Sequence, residues 1–472
     1  MCPCLFVTSC SNVSTNARST TERGSQSTDS VSGTGNLVKT TVRATAMAAL
    51  QQPVTTARLG LTVVWQRPGD FLRRKLGALV PDAMPAAPGS LEFEQELDRR
   101  SFPPAESGSL KWLVDGPQFY PEFDRQIAAA RSSVDVQVFI FDNDDIGVRY
   151  AKSLQERAAA IPVRVLFDDL GSTMSWTSAP ETAAPKGFQA PSDMEAFLTA
   201  GNSDTRVRRT INPWLACDHT KLIVFDQRSA ILGGMNIGRE YFSEWHDLMV
   251  RVDGPVVATL ARDFHRSWRK AGPLGDFGLF RKPISARKPA PFAGGVPIRV
   301  LRTDPAEGRL EILDAMMLAI RGARQRVWIE NPYFSHDGIS EACEDAARRG
   351  VDVRVIIPAA GDSAIMDAGN LATARSLISA GATVLRYPKM THMKVMICDD
   401  WATAGSANLD ILSLRINREL NLAFSHPDTV RALEEAVFSP DFKRSREMTL
   451  AETTPTEAAL GEVISATLAD HL

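Results

Sequence analysis

Long apolar runs are missing from this 472-residue chain. No stretch reaches the roughly eighteen apolar residues that a membrane-spanning helix needs. A basic surplus is missing too. Lys and Arg number 53 against 56 Asp and Glu, a formal net charge of −3. Proteins that coat nucleic acid through phosphate contacts carry a strong positive excess, so no nucleic-acid partner is expected, although a local basic pocket stays open. Cysteine is scarce. Cys2, Cys4 and Cys10 crowd the N-terminus, while Cys217, Cys343 and Cys398 stand singly. That pattern fits neither a disulfide framework nor a zinc site. What the chain does have is a hydrophobic fraction of 44%, enough to build cores. Its length suits two or three domains at roughly 100–200 residues each, or one fold held twice.

Residues 1–45 are rich in Ser, Thr, Asn and Gly, and that composition predicts disorder. Val7-Thr8-Ser9-Cys10 looks like a lipoprotein cleavage box, but only nine residues precede the cysteine and none is basic. The Ser/Thr-rich, acid-poor make-up loosely suits an organelle transit peptide, and a plain untargeted tail is the bland alternative. Further on, Phe71, Leu72, Leu76, Leu79 and Val80 oppose Arg73, Arg74 and Lys75. An amphipathic basic helix of this kind can lie on an anionic membrane surface. Packing against the protein body is the reading favoured here. Residues 1–100 are thus expected to be a disordered, targeting or accessory segment.

From about residue 105 the pattern turns α/β. A helical stretch precedes an apolar strand at 134–141, and a second helical stretch precedes a strand at 163–169. Helices alternating with buried strands predict a sheet covered on its faces. A Pro- and Gly-rich stretch at 273–297 reads as a linker. The same order then returns, with strands at 326–334 and 351–358. Val163-Arg164-Val165 matches Val353-Arg354-Val355 at an offset of 190 residues. This is an internal duplication, with expected units at 101–280 and 295–450.

The duplication carries chemistry. His219-Thr220-Lys221, four residues and Asp226 in the first unit answer His392-Met393-Lys394, four residues and Asp399 in the second. Apolar LIVF and VMIC separate the ends of each motif, so each motif runs into a strand. Alternation along a strand would turn each histidine and lysine the same way. An imidazole beside an ammonium suits an anionic group such as phosphate. Downstream, Gly233-Gly234-Met235-Asn236 answers Gly405-Ser406-Ala407-Asn408, and Asp247 answers Glu419. The spacing from histidine to carboxylate is 28 residues in one unit and 27 in the other, with the missing residue placed at a turn after Asp226. A neutral imidazole can attack phosphorus if a carboxylate on its other nitrogen fixes the tautomer. Asp247 and Glu419 are the candidates. Lys221, Lys394, Asn236, Asn408 and Ser406 are candidates to hold the phosphate oxygens. Asp226 and Asp399 read as turn-bracing residues. One such motif alone would be weak. Two copies, each followed by a matching Asn and carboxylate inside a repeat, are not.

These motifs resemble the phospholipase D superfamily, and more narrowly the bacterial cardiolipin synthases. The resemblance spans about residues 110–445 and rests on HTKLIVFDQRSAILGGMNIGREYF, WHDLMVRVDGP, ENPYF and HMKVMICDDWATAGSANLDILSLRINRELNLAF. It implies an α/β fold of two homologous lobes, each a mainly β sheet flanked by helices. The lobes would pack as a pseudo-twofold α/β/α sandwich with the active site between them. It implies a two-step phosphatidyl transfer that needs no metal and no other cofactor. One histidine, by the family pattern His219, attacks the phosphodiester, and His392 protonates the leaving alcohol. A second alcohol or water then displaces the histidine. The implied partners are a phospholipid, phosphatidylglycerol first among them, and a membrane surface met peripherally. A hydrolase whose acceptor is water is the near alternative, and a nuclease the distant one. Thr220 departs from the basic residue common at that position, and the paired N-terminal membrane spans of many relatives are lacking. The segment from Gly171 to about Arg206 is longer than its counterpart, which suggests a loop over the site.

Overall fold

The computed structural model describes residues 42–61, 84–177, 184–201, 203–213, 216–280 and 292–453. The N-terminal tail up to 41, the basic stretch at 71–80 and the middle of the linker lie outside them.

The duplication is visible as strand order. The first half contributes β1 (Glu106–Val114), β2 (Val134–Val138), β3 (Val163–Asp168), β4 (Arg206–Thr210), β5 (Leu222–Phe225), β6 (Ser229–Gly233) and β7 (Leu248–Asp253). The second contributes β8 (Val296–Asp304), the short β9 (Arg309–Leu310), β10 (Arg326–Glu330), β11 (Asp352–Pro358), β12 (Thr383–Tyr387), β13 (Val395–Cys398), β14 (Trp401–Gly405), β15 (Glu419–Phe424) and β16 (Arg446–Glu447). The first half runs β1-β7-β6-β5-β2-β3-β4, and the second runs β8-β15-β14-β13-β10-β11-β12. Strand for strand these are the same order. The resemblance predicts two sheets packed together. The structure also joins them edge to edge, through antiparallel pairing of Glu106–Gly108 on β1 with Val296–Ile298 on β8. Each half thereby pairs an edge strand that would otherwise leave its backbone groups open.

The halves also share a core. Leu222, Val224, Leu232 and Val250 of the first half cluster with Val395, Ile397, Leu420 and Leu422 of the second. Burial on both faces explains why these strands read as continuous apolar runs rather than as alternation.

Two parts of the N-terminal region depart from expectation. Residues 42–51 and 53–61 are helical, so 42–45 are not the disordered chain their composition predicts. Ala44, Ala48 and Leu59 bury against the body, and Thr55 bonds Asp276 through its backbone N–H (2.9 Å) and its hydroxyl (2.6 Å). Helix α1 (Leu91–Arg99) starts on Ser90, whose hydroxyl caps the Phe93 N–H. It drives Phe93 and Leu97 into the core of the second half, where Phe93 meets Trp401 edge-on at 6.2 Å. This helix is part of the second half's core, not an appendage. Phe93→Ala should cost about 3–5 kcal/mol of unfolding free energy, checked by denaturant titration. The segment expected as a loop over the site also carries helix, α2 (Asp169–Thr177) and α3 (Met194–Leu198) among its described residues.

The one-residue difference in spacing falls in the β-turns. Three residues, 226–228, join β5 to β6, and two, 399–400, join β13 to β14. Asp226 and Asp399 each begin the turn with positive φ, 54° and 49°. The Asp226 carboxylate accepts from the N–H groups of Arg131, Ser132 and Ser133. Asp399 accepts from Arg324, Gln325 and Arg326. Each aspartate therefore ties its turn to the loop that enters the neighbouring strand.

Candidate active site

His219 and His392 sit just ahead of β5 and β13, since pairing starts after the lysine and not at the histidine. Two short parallel ladders fix them. The Arg418 N–H donates to Cys217 O and the His219 N–H to Arg418 O, each at 2.9 Å. In mirror fashion the His246 N–H donates to Met390 O (2.9 Å) and the His392 N–H to His246 O (2.6 Å). The chain leading into each histidine is thus laid beside the chain leading into the other half's carboxylate.

The result is a crossed pairing. His219 Nδ1 lies 2.9 and 3.1 Å from the two oxygens of Glu419. His392 Nδ1 lies 2.7 Å from Asp247 Oδ2. The sequence left open which carboxylate serves which histidine, and each serves the other half's. Neither half holds a complete dyad. With Nδ1 facing the carboxylate, Nε2 is the nitrogen left for a substrate.

These four groups are buried, as are Lys221 and Lys394, with His219 and His392 5% exposed. Burial, Lys221 and Lys394 push His219 well below the ordinary histidine value, and burial, Lys394 and Lys221 do the same to His392. Each histidine feels the lysines of both halves, so the two dyads form one site. Burial pushes Asp247 up to about 7, with Lys394 opposing. Burial pushes Glu419 up to about 8, with Lys221 opposing. In each dyad burial therefore disfavours charge on both partners, lowering the imidazole and raising the carboxyl group. The ammonium groups fold back on their own strands: Lys221 Nζ donates to His219 O at 2.8 Å and Lys394 Nζ to His392 O at 2.6 Å. Two buried cations beside near-neutral dyads make a pocket that an anion would neutralise.

The other candidates are committed differently. Asn236 accepts from the Ile140 N–H (3.0 Å) and donates to the Tyr241 hydroxyl (2.9 Å). Asn408 Oδ1 is buried with no hydrogen-bond partner. Ser406, expected on the phosphate, donates its hydroxyl to Glu419 Oε2 at 2.5 Å. Its counterpart Gly234 has no room for a side chain, because a Cβ there would overlap the Asp247 carboxylate. One half thus matches glycine to the aspartate and the other serine to the glutamate. Gly234→Ala should displace Asp247 and lower kcat at least ~100-fold, in line with a misplaced catalytic group, while the folded fraction stays measurable by circular dichroism.

Sequence reasoning missed the residues just before each dyad member. Arg418 bonds Asp218 at 2.7 Å and Asp304 at 3.2 Å. His246 is held by Asp115 at Nδ1 (2.7 Å) and Asp441 at Nε2 (2.9 Å). Burial opposes a charge on His246, but Asp115 and Asp441 override it and hold the group up at about 10. A cationic residue therefore precedes each carboxylate in the chain, Arg418 before Glu419 and His246 before Asp247, and His246 acts on Asp247 directly. The repeat register held this signal, since 246 and 418 precede matched positions. The aromatic walls were missed as well: Phe139 lies edge-on to His219 at 4.9 Å, and Trp245 stands 5.1 Å from His392. Among the described residues His246, Glu330 and Asp441 also have the spacing of a metal-ligand group, as do Asp142, Asp144 and Glu240. Neither set includes a dyad histidine.

The family model described as "Cardiolipin synthase, PLD-like domain" matches residues 123–268 and 316–439, both halves of the duplication. The chain belongs to this family within the phospholipase D superfamily. Among its relatives, Cardiolipin synthase A of Pseudomonas putida (strain W619) is 32% identical over 360 residues, 74% of this chain and 72% of the relative. Cardiolipin synthase A of Pseudomonas entomophila (strain L48) is 33% identical over 361 residues, 74% and 72%. The solved phosphatidylserine synthase of Haemophilus influenzae Rd KW20 shares the fold, with a TM-score of 0.60 at 13% identity over 80% of this chain and 98% of that one. Family membership makes this chain a phospholipase D-superfamily phosphatidyltransferase. Among the described residues no helix is long and apolar enough to cross a membrane.

Proposed function

We propose that the protein makes cardiolipin from two molecules of phosphatidylglycerol and releases glycerol, through a phosphohistidine. The crossed pairing of two histidines with two carboxylates around two buried lysines is the observation that carries this reading. His219 Nε2 attacks the phosphorus of the first phosphatidylglycerol. The P–O bond to the headgroup glycerol breaks, and His392 donates its Nε2 proton to the departing oxygen. Glu419 and Asp247 support the charge on their imidazoles as it develops. Lys221 and Lys394 face the extra charge on the phosphoryl oxygens. A hydroxyl of the second phosphatidylglycerol then gives its proton to His392 and displaces His219 from phosphorus. Atoms and charge balance without a cofactor.

The chemistry needs one dyad deprotonated, to attack, and one protonated, to give. With both dyads protonated no nucleophile is free, and with neither protonated no acid remains. The profile of kcat/KM against pH should therefore be a bell, read from initial rates at constant ionic strength. The proposal itself is tested by incubating the protein with phosphatidylglycerol vesicles and resolving the lipids. Cardiolipin and glycerol in equal amounts are expected. Phosphatidic acid as the sole product would make the protein a hydrolase.

A further inference from the structure

Exposed apolar side chains are concentrated in one place. Ten large apolar residues are exposed among the described residues. Five belong to the helical segment 42–61, with Leu50 79% and Leu61 59% exposed. Two more, Leu274 and Phe277, adjoin it, because Gly275 packs on the Gln51 backbone and Asp276 is bonded by Thr55. The two groups of exposed apolar residues therefore lie on adjoining elements. Elsewhere among the described residues only Met84, Leu91 and Leu450 are so exposed.

The patch sits beside the catalytic dyad of His219. Its buried side anchors there: Leu59 packs on Ala216 and Ile416, three residues ahead of His219 and of Glu419 respectively. Gln52 bonds Ile211 O at 3.0 Å, and Arg43 pairs with Asp169 at 2.7 Å. The segment is thus a strap fixed to both halves at the crossed pair. Its own two charges are both positive, and one of them, Arg43, is paired with Asp169. Arg43 and Arg58 are the only charged residues between 42 and 61, and no carboxylate lies among them.

We propose that this strap is a docking face for an anionic phospholipid bilayer, seating the membrane surface next to the His219–Glu419 dyad. The inference rests on the reading that the substrate is a phospholipid, and it names how that substrate reaches the site. A two-chain lipid leaves a bilayer at great cost in exposed apolar area, so an enzyme with buried catalytic groups gains by abutting the membrane. Helices that do so carry an apolar face and basic but not acidic residues near it. A second copy of the chain would also cover an apolar patch, but only a bilayer both covers it and brings a two-chain lipid up to the anchor beside the His219 dyad.

The test separates docking from catalysis. Leu50→Asp with Val54→Asp changes two exposed residues that touch none of the catalytic groups. The double variant should bind vesicles of equimolar phosphatidylglycerol and phosphatidylcholine at least about tenfold more weakly, since two charges replace apolar anchors. Turnover of a short-chain phosphatidylglycerol kept monomeric in solution should match the unmodified chain. Unchanged vesicle binding would overturn the proposal. If neither protein turns over the monomeric lipid, the assigned reaction fails while the binding result still stands by itself. Leu50→Trp guards against misfolding of the double variant. Its emission, relative to the unmodified chain, should shift to the blue on adding the mixed vesicles and stay unchanged with phosphatidylcholine alone. No shift, an equal shift with both vesicles, or a shift that follows protein concentration without lipid would each overturn it.

Discussion

His219→Ala and His392→Ala should each remove cardiolipin formation by at least ~10⁴-fold while the chain stays folded, because covalent catalysis loses either its nucleophile or its acid. The folded state should survive, since the imidazoles contribute little to the shared core. Leu222 and Val395 and their neighbours build that core, and the strand pairings of β5 and β13 involve no histidine side chain. Truncation also spares the backbone ladders that set the site, because His219 and His392 donate through their main-chain N–H groups. Denaturant unfolding alongside rate measurement separates the two effects. Turnover retained by either variant would remove that histidine from the mechanism.

The second large effect concerns the crossed pairing. Glu419→Gln keeps size and hydrogen bonding but removes the charge that supports His219. A drop of about 10³–10⁴ in kcat is expected, on the scale seen when a histidine loses its orienting carboxylate. The instructive comparison is between double variants. Glu419→Gln with His219→Ala should be no slower than His219→Ala alone, because the glutamate then has no imidazole to serve. Glu419→Gln added to Asp247→Asn should instead be worse than either single change, since each disables a different dyad. If His219 depended on the carboxylate of its own half, Asp247→Asn would be the change that His219→Ala masks. Rates of the four single variants and these pairs decide between the two arrangements.

Much of this site is legible in the amino-acid order alone. The repeat shows itself because Val163 and Val165, like Val353 and Val355, are buried on one face of their strands with the part-buried Arg164 and Arg354 between them, so the same alternation recurs in both halves. The motif spacing stays readable because the histidine, the lysine and the carboxylate bracket two apolar strands and one turn. Even the missing residue has a place, the turn that starts at Asp226 or Asp399. The pairing of dyads is not legible. It depends on contacts between segments about 200 residues apart, Cys217–His219 against Arg418, and no local pattern encodes such a meeting. Ser406 is misplaced by sequence for a related reason. Its hydroxyl suits phosphate or carboxylate equally, and only the position of Glu419 decides that it braces the carboxylate. The helix from residue 42 is hidden by composition, because small and polar residues read as disorder until Ala44, Ala48 and Leu59 are seen against the body. Helix α1 likewise looks like part of an accessory segment until Phe93 is placed beside Trp401.

The central claim is a covalent phosphatidyl-histidine. Phosphatidylglycerol labelled at phosphorus can be mixed with the protein, the reaction stopped in alkaline denaturant where phosphohistidine survives, and the digested peptides separated. Label on the peptide that carries His219, absent from the His219→Ala chain, is the expected result. Turnover with no label on the His219 or the His392 peptide, or label on another side chain, would contradict the account.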